Sequence, residues 1–194
     1  MRRRSWSRRP GSLAELRAAP AQTLPLNVRI FGIDPGSVVT GYAVIDCAGV
    51  EARYVASGSI RTQRAEFPAR LTEIFSAVSR LMEEFKPDEV AVEKVFMHRN
   101  ADSALKLGQA RGAALCATFA GGPKLFEYAP REIKLAVAGT GSAQKEQVQL
   151  MVKRLLKLSG EMGVDASDAV AIALCHAHSR RLSSMLHSLN GAAR

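Results

Sequence analysis

Asp34, Glu93, Asp165 and Asp168 each stand where an apolar run stops or starts. Asp34 follows Val28 to Ile33, Glu93 follows Val90-Ala91-Val92, and the two later aspartates open the run Ala169 to Leu174. If folding gathers them, two carboxylates about 5 Å apart repel by roughly 3 kcal/mol at an effective dielectric near 20, and a third adds to it. Protons or divalent cations must relieve such crowding. Carboxylates without a partnering His or Cys form an oxygen-only donor set, which suits Mg²⁺ or Mn²⁺ rather than zinc. His176 and His178 are two apart on a predicted helix and face different sides, so they do not form a zinc pair.

Each acid also has a structural reading. Asp34 in Asp34-Pro35-Gly36-Ser37 can open a β-turn, and Asp165 and Asp168 can cap a helix or favour its dipole. Glu93 resists such a reading. Flanked by Val90-Ala91-Val92 and Val95-Phe96-Met97, it needs a cation or a hydrogen-bond partner wherever it is buried. Asp165 and Asp168, three apart, share one helix face, which Asp34 and Glu93 can approach from strand ends.

The elements that must position these acids follow from periodicity. Three strands are predicted at Val28 to Ile33, Gly41 to Asp46 and Tyr54 to Ile60, close enough in sequence for an antiparallel meander. Pro68 to Phe85 has helical spacing of Leu71, Ile74, Phe75, Val78, Leu81, Met82 and Phe85, and a fourth strand spans Glu89 to Glu93. A long helix rich in small residues runs from Ala101 to Ala120, where Gly121-Gly122-Pro123 stops it. A short fifth strand, Leu125 to Glu127, precedes helices at about Pro130 to Val137, Ser142 to Leu158, and Asp165 to the mid-180s. The predicted class is α/β: a five-stranded mixed sheet, antiparallel in its first three strands and then parallel, flanked by helices.

With 194 residues and 47% hydrophobic content, the chain holds one full core and is too short for two. No apolar run approaches the roughly 18 residues that would cross a bilayer. Cys47, Cys116 and Cys175 lie far apart in apolar stretches and are expected to be buried free thiols in a reducing compartment. Of the formal charge of +9, residues 1–27 carry +5. Acids set within a basic chain point to chemistry on a polyanion, and nucleic acid is the first candidate. Residues 1–27 are expected to be a disordered basic extension, 28–185 the folded domain and 186–194 a flexible tail. A basic arm or an upstream start explains the leader, and an organellar transit peptide is the alternative; otherwise the expected location is the cytoplasm.

Longer motifs narrow the class. Gly32-Ile33-Asp34-Pro35-Gly36-Ser37 with Thr40-Gly41-Tyr42, Glu93-Lys94-Val95-Phe96, the run Asn100 to Gly112, and Asp165-Ala166-Ser167-Asp168-Ala169 resemble the RuvC family of Holliday junction resolvases. The resemblance runs from about Val28 to about His178. It implies a ribonuclease-H-like fold, a homodimer acting on four-way DNA junctions, and symmetric nicking of two strands of like polarity. It implies Asp34, Glu93, Asp165 and Asp168 as catalytic acids holding two Mg²⁺ ions, replaceable by Mn²⁺. Such ions, about 3.5–4 Å apart, would bracket the scissile phosphate, so no covalent nucleophile is needed and Ser37, Thr40 and Ser167 read as turn, strand or cap residues.

The same resemblance implies that Lys145 stabilises charge at that phosphate, that Lys134 contacts the DNA backbone, and that Phe96 stacks at the opened junction centre. An ordinary core phenylalanine is the alternative for Phe96. Lys94, His98, Arg99 and Arg131 are candidate DNA contacts by proximity, and His98-Arg99 departs from the usual family pattern. A branch-migration helicase complex of the RuvA and RuvB type is the implied partner. The helix from Ala101 to Ala120, with Gly108 and Gly112, would suit a two-fold contact. Two other classes remain to be weighed: a non-catalytic junction-binding protein, and a Mg²⁺-dependent ATPase of actin or sugar-kinase type, which would need two domains.

Overall fold

The computed structural model describes residues 27–49, 51–64, 66–94 and 100–191. Five strands form one sheet in the order β3-β2-β1-β4-β5. They are β1 (Asn27–Asp34), β2 (Val39–Ala48), β3 (Glu51–Arg61), β4 (Glu89–Glu93) and β5 (Lys124–Tyr128). β1, β2 and β3 pair antiparallel, while β4 runs parallel to both β1 and β5. The mixed sheet expected from the sequence is therefore the one observed.

Strand parity assigns each side chain to a layer. Phe31, Ile33, Val44, Val90 and Val92 pack with Ile74, Val78 and Met82 of α1 (Phe67–Phe85) and Ala110, Ala114 and Ala117 of α2 (Ala101–Thr118). Val28, Ile30, Ala43, Ile45 and Ala91 face the other way, onto Ala169 to Cys175 of α5 (Val164–Gly191). α3 (Pro130–Ala138) and α4 (Lys145–Leu155) complete that layer. Fully buried side chains such as Phe31, Ile33 and Ile172 each contribute roughly 1.5–3 kcal/mol.

Asp34 shares the parity of Val28 and Ile30, and Glu93 that of Ala91, so both belong to the face covered by α5. That helix lies unusually close to the sheet. A Cβ on Gly32 would fall well inside 3.0 Å of the Ala169 carbonyl oxygen, and one on Gly41 equally close to the Asp165 carbonyl oxygen. Two glycines on adjacent strands thus let the first turns of α5 rest almost on the backbone.

Several boundaries differ from the sequence reading. α4 begins at Lys145 rather than Ser142, because the Gln147 side chain accepts from the Gln144 N–H and sets the start there. It ends at Leu155, followed by Lys157 in a left-handed conformation. β1 starts at Asn27, and α5 continues to Gly191, into the stretch expected to form a tail. Cys47 and Cys175 are buried free thiols, with burial pushing them up to about 11 and about 12, but Cys116 is exposed. A helix face made of small residues looks alike from either side, and Cys116 lies on the outward one.

A buried polar cluster ties α5 to β4 and β5. His176 approaches Glu89 at 2.7 Å and the Tyr128 hydroxyl at 2.6 Å, while Arg180 donates to the same Glu89 carboxylate at 2.8 Å. Phe126 covers the imidazole at 4.2 Å between ring centres. Breaking such a buried set typically costs about 3–5 kcal/mol.

Candidate active site

The register places the acids side by side. Asp34 pairs with Gly41 across the β1–β2 ladder, and Ile33 pairs with Val92, so Glu93 continues one step beside Asp34 on the neighbouring strand. Adjacent strands are about 4.8 Å apart. The Asp165 carbonyl rests against Gly41, which brings the first turn of α5 over the end of β1. Helix α5 begins at Val164, so Asp165 lies in its first turn rather than at its cap, and Asp168 follows on the same face.

Electrostatics register this convergence. Burial first, then the charges of Glu93 and Asp168, push the Asp34 carboxyl up to about 7, with Lys145 opposing the rise. The Glu93 carboxyl is likewise raised by burial and then by Asp168, against the pull of Lys134, Arg111 and Lys145. Lys145 Nζ lies 2.7 Å from Asp168 Oδ2, and that contact raises the lysine's proton affinity. Ser59 donates to Asp165 at 3.5 Å, and Arg61 stands 3.6 Å from the same oxygen.

Among the described residues, no three His, Cys, Asp or Glu side chains stand close enough to form a ready cage for a metal ion. The four acids share one electrostatic neighbourhood, but Asp168 is turned to Lys145 and Asp165 to Ser59 and Arg61. The donor set still fits a hard divalent cation: it is oxygen-only, half-buried, and contains a carboxyl held far from its ordinary proton affinity. Lys134 acts on Glu93 through space and so belongs to the site. Lys94 is exposed directly after β4, and Arg131 packs its side chain over Gly141. Phe96, His98 and Arg99 lie outside the described residues.

Ser59, Arg61 and Arg111 were not singled out from the sequence. Ser59 pairs with Gly41 and Arg61 with Val39, so both continue the face that carries the acids. Reading parity outward from Gly41 would have found them. Two grooves, of about 620 and 740 Å³, lie around Asp46 and Asp88 and between α1 and α2, and neither includes any of the four acids. Among the described residues, no helix is long and apolar enough to cross a membrane.

A family model described as crossover junction endodeoxyribonuclease RuvC matches residues 30–176. The chain belongs to the RuvC family. A RuvC from Methylococcus capsulatus is 58% identical over 153 residues, covering 79% of this chain and 92% of the relative. A RuvC from Stutzerimonas stutzeri is 54% identical over 165 residues, covering 85% and 94%. The structure of T. thermophilus RuvC in complex with Holliday junction substrate superposes with a TM-score of 0.75 at 36% identity, covering 81% of this chain and 97% of that one. The yeast mitochondrial Holliday junction resolvase Ydc2 has a TM-score of 0.62 at 14% identity, a likeness of fold alone, with 88% and 86% covered. RuvC membership identifies the chain as a crossover junction endodeoxyribonuclease and, with it, an enzyme that uses a divalent metal.

Proposed function

We propose that this protein resolves four-way DNA junctions, nicking two strands of like polarity symmetrically, in recombination and repair. The observation that carries this reading is the crowding of Asp34, Glu93, Asp165 and Asp168 at one end of the sheet in a chain of the RuvC family. Two Mg²⁺ ions, with Mn²⁺ able to substitute, would be held by these four acids and would supply an activated water and stabilisation of the departing 3′ oxygen. Lys145, already beside Asp168, is set to neutralise charge on the scissile phosphate. Lys134 holds the DNA backbone near Glu93, with Lys94, Arg131 and Arg99 as further contacts and Phe96 stacking at the junction centre.

Two coordinated cuts call for two sites. Leu105, Gly108, Gly112 and Cys116 line the outward face of α2, where a Cβ on either glycine would meet open space. That face suits a second copy of the chain related by a two-fold axis. A cytoplasmic protein working with a RuvA- and RuvB-type helicase complex is the setting that fits this activity.

The deciding experiment incubates the protein with a synthetic four-way junction and a matching linear duplex, with and without Mg²⁺. Paired, symmetric, Mg²⁺-dependent nicks confined to the junction are the expected result. Equal cutting of the duplex would make it a general nuclease, and binding without cutting would make it a junction-binding module.

A further inference from the structure

We propose that Arg111 is a positioning residue for Glu93. This inference rests on the reading of Glu93 as a metal-holding acid and extends it to a residue on a different element. Arg111 projects from α2, with its side chain only 13% exposed. One guanidinium nitrogen donates to the Glu93 backbone carbonyl at 2.5 Å, and the other is paired with the Glu127 carboxylate on β5. The planar fork therefore spans the ends of two adjacent parallel strands, β4 and β5.

Glu93 is the last residue of β4. The next ladder contact, Lys94 N–H to the Tyr128 carbonyl at 2.8 Å, secures one flank of the strand end. Arg111 grips the peptide of Glu93 itself. Fixing that carbonyl fixes the direction in which the Glu93 carboxylate leaves the backbone, and a shift of about 1 Å in such a group suffices to misplace a reacting centre.

The geometry separates this role from plain stabilisation. The Arg111–Glu127 pair has a 47% exposed acid, and ion pairs of that kind contribute little to folding. Residues that orient a metal ligand have a different signature, typically about 10- to 100-fold in metal affinity. Lysine cannot reproduce the two-pronged fork, whereas a glutamine at 127 keeps an acceptor oxygen for it.

The test measures Mn²⁺ binding without DNA by electron paramagnetic resonance, alongside the Mg²⁺ dependence of junction cleavage and thermal melting. Arg111→Met is expected to weaken Mn²⁺ binding and raise the half-saturating Mg²⁺ concentration by about tenfold, with Arg111→Lys intermediate and Glu127→Gln within about twofold of the natural chain. Melting should fall by only a few degrees. If Arg111→Met folds and binds Mn²⁺ within about twofold of the natural chain, the proposal is wrong; if Arg111→Met does not fold, Arg111→Lys decides by the same measure. Glu93→Gln serves as the control. Should it keep metal binding and cleavage, the underlying reading of Glu93 fails; should it lose both while Arg111 variants do not, only the positioning role fails.

Discussion

Lys145 Nζ sits 2.7 Å from Asp168 Oδ2, so one of the four crowded acids is answered by a cation from the start of α4. This lysine offsets repulsion within the site, and in the proposed reaction it would also meet the charge of the phosphate. We predict that Lys145→Ala slows single-turnover junction cleavage at saturating Mg²⁺ by about 10²-fold, as removal of one preorganised donor does elsewhere. Mn²⁺ binding without DNA should be no weaker, because a competitor for Asp168 has gone. Cleavage at the natural rate would remove Lys145 from the chemistry.

Asp34→Asn is predicted to abolish metal-dependent cleavage while leaving junction affinity within about threefold, since that affinity comes from phosphate contacts. In EDTA the variant should also melt slightly higher, by about 1 kcal/mol, because it removes a desolvated charge among like charges. Retained cleavage by the purified variant sinks the assignment of Asp34.

The same carboxyl sets a pH dependence. Its folded-state value, up at about 7, exceeds the ordinary 3.8 of the unfolded chain. Between these values the folded state keeps a proton that the unfolded state has released, so stability from this group is fully present below about 4 and is lost as pH rises through about 7. Melting curves in EDTA from pH 4 to 8 should show that decline relative to Asp34→Asn. Parallel curves for the two proteins would contradict it.

Gly41→Ala is predicted to cost about 1–3 kcal/mol and to cut cleavage more than the melting shift accounts for. Its new methyl must displace the Asp165 carbonyl, and with it the first turn of α5. An unchanged Mg²⁺ dependence in a destabilised Gly41→Ala protein would separate the packing from the site.

Cys116 is predicted to be modified by a maleimide well before Cys47 and Cys175, which burial protects. If α2 carries the dimer contact, the rate should fall as protein concentration rises. A concentration-independent rate, with dimers confirmed by sedimentation, would move the contact elsewhere.

Much of this site was legible because strand ends and acids coincide. Pro87 and Glu93 bracket β4 so firmly that its predicted and observed limits agree, and alternation alone puts Asp34 and Glu93 on one face. The meander and the parallel crossover followed from short and long connections. What could not be read was contact made at a distance by long side chains. Arg61 reaching Asp165, and Arg111 reaching two strands at once, depend on how helices and strands are stacked rather than on local pattern. The exposure of Cys116 was hidden for a related reason, since α2 has small residues on both its faces.

β4 has a glutamate at each end, and α5 touches both. Glu89 is fully partnered by His176 and Arg180, whereas Glu93 is pressed by Asp168 against the pull of Lys134, Arg111 and Lys145. Charges that hold the scaffold and the acids of the candidate site are thus partitioned to opposite ends of the same two elements. Such a partition means that a substitution among the acids of the candidate site leaves the ion pairs that anchor α5 to β4 untouched.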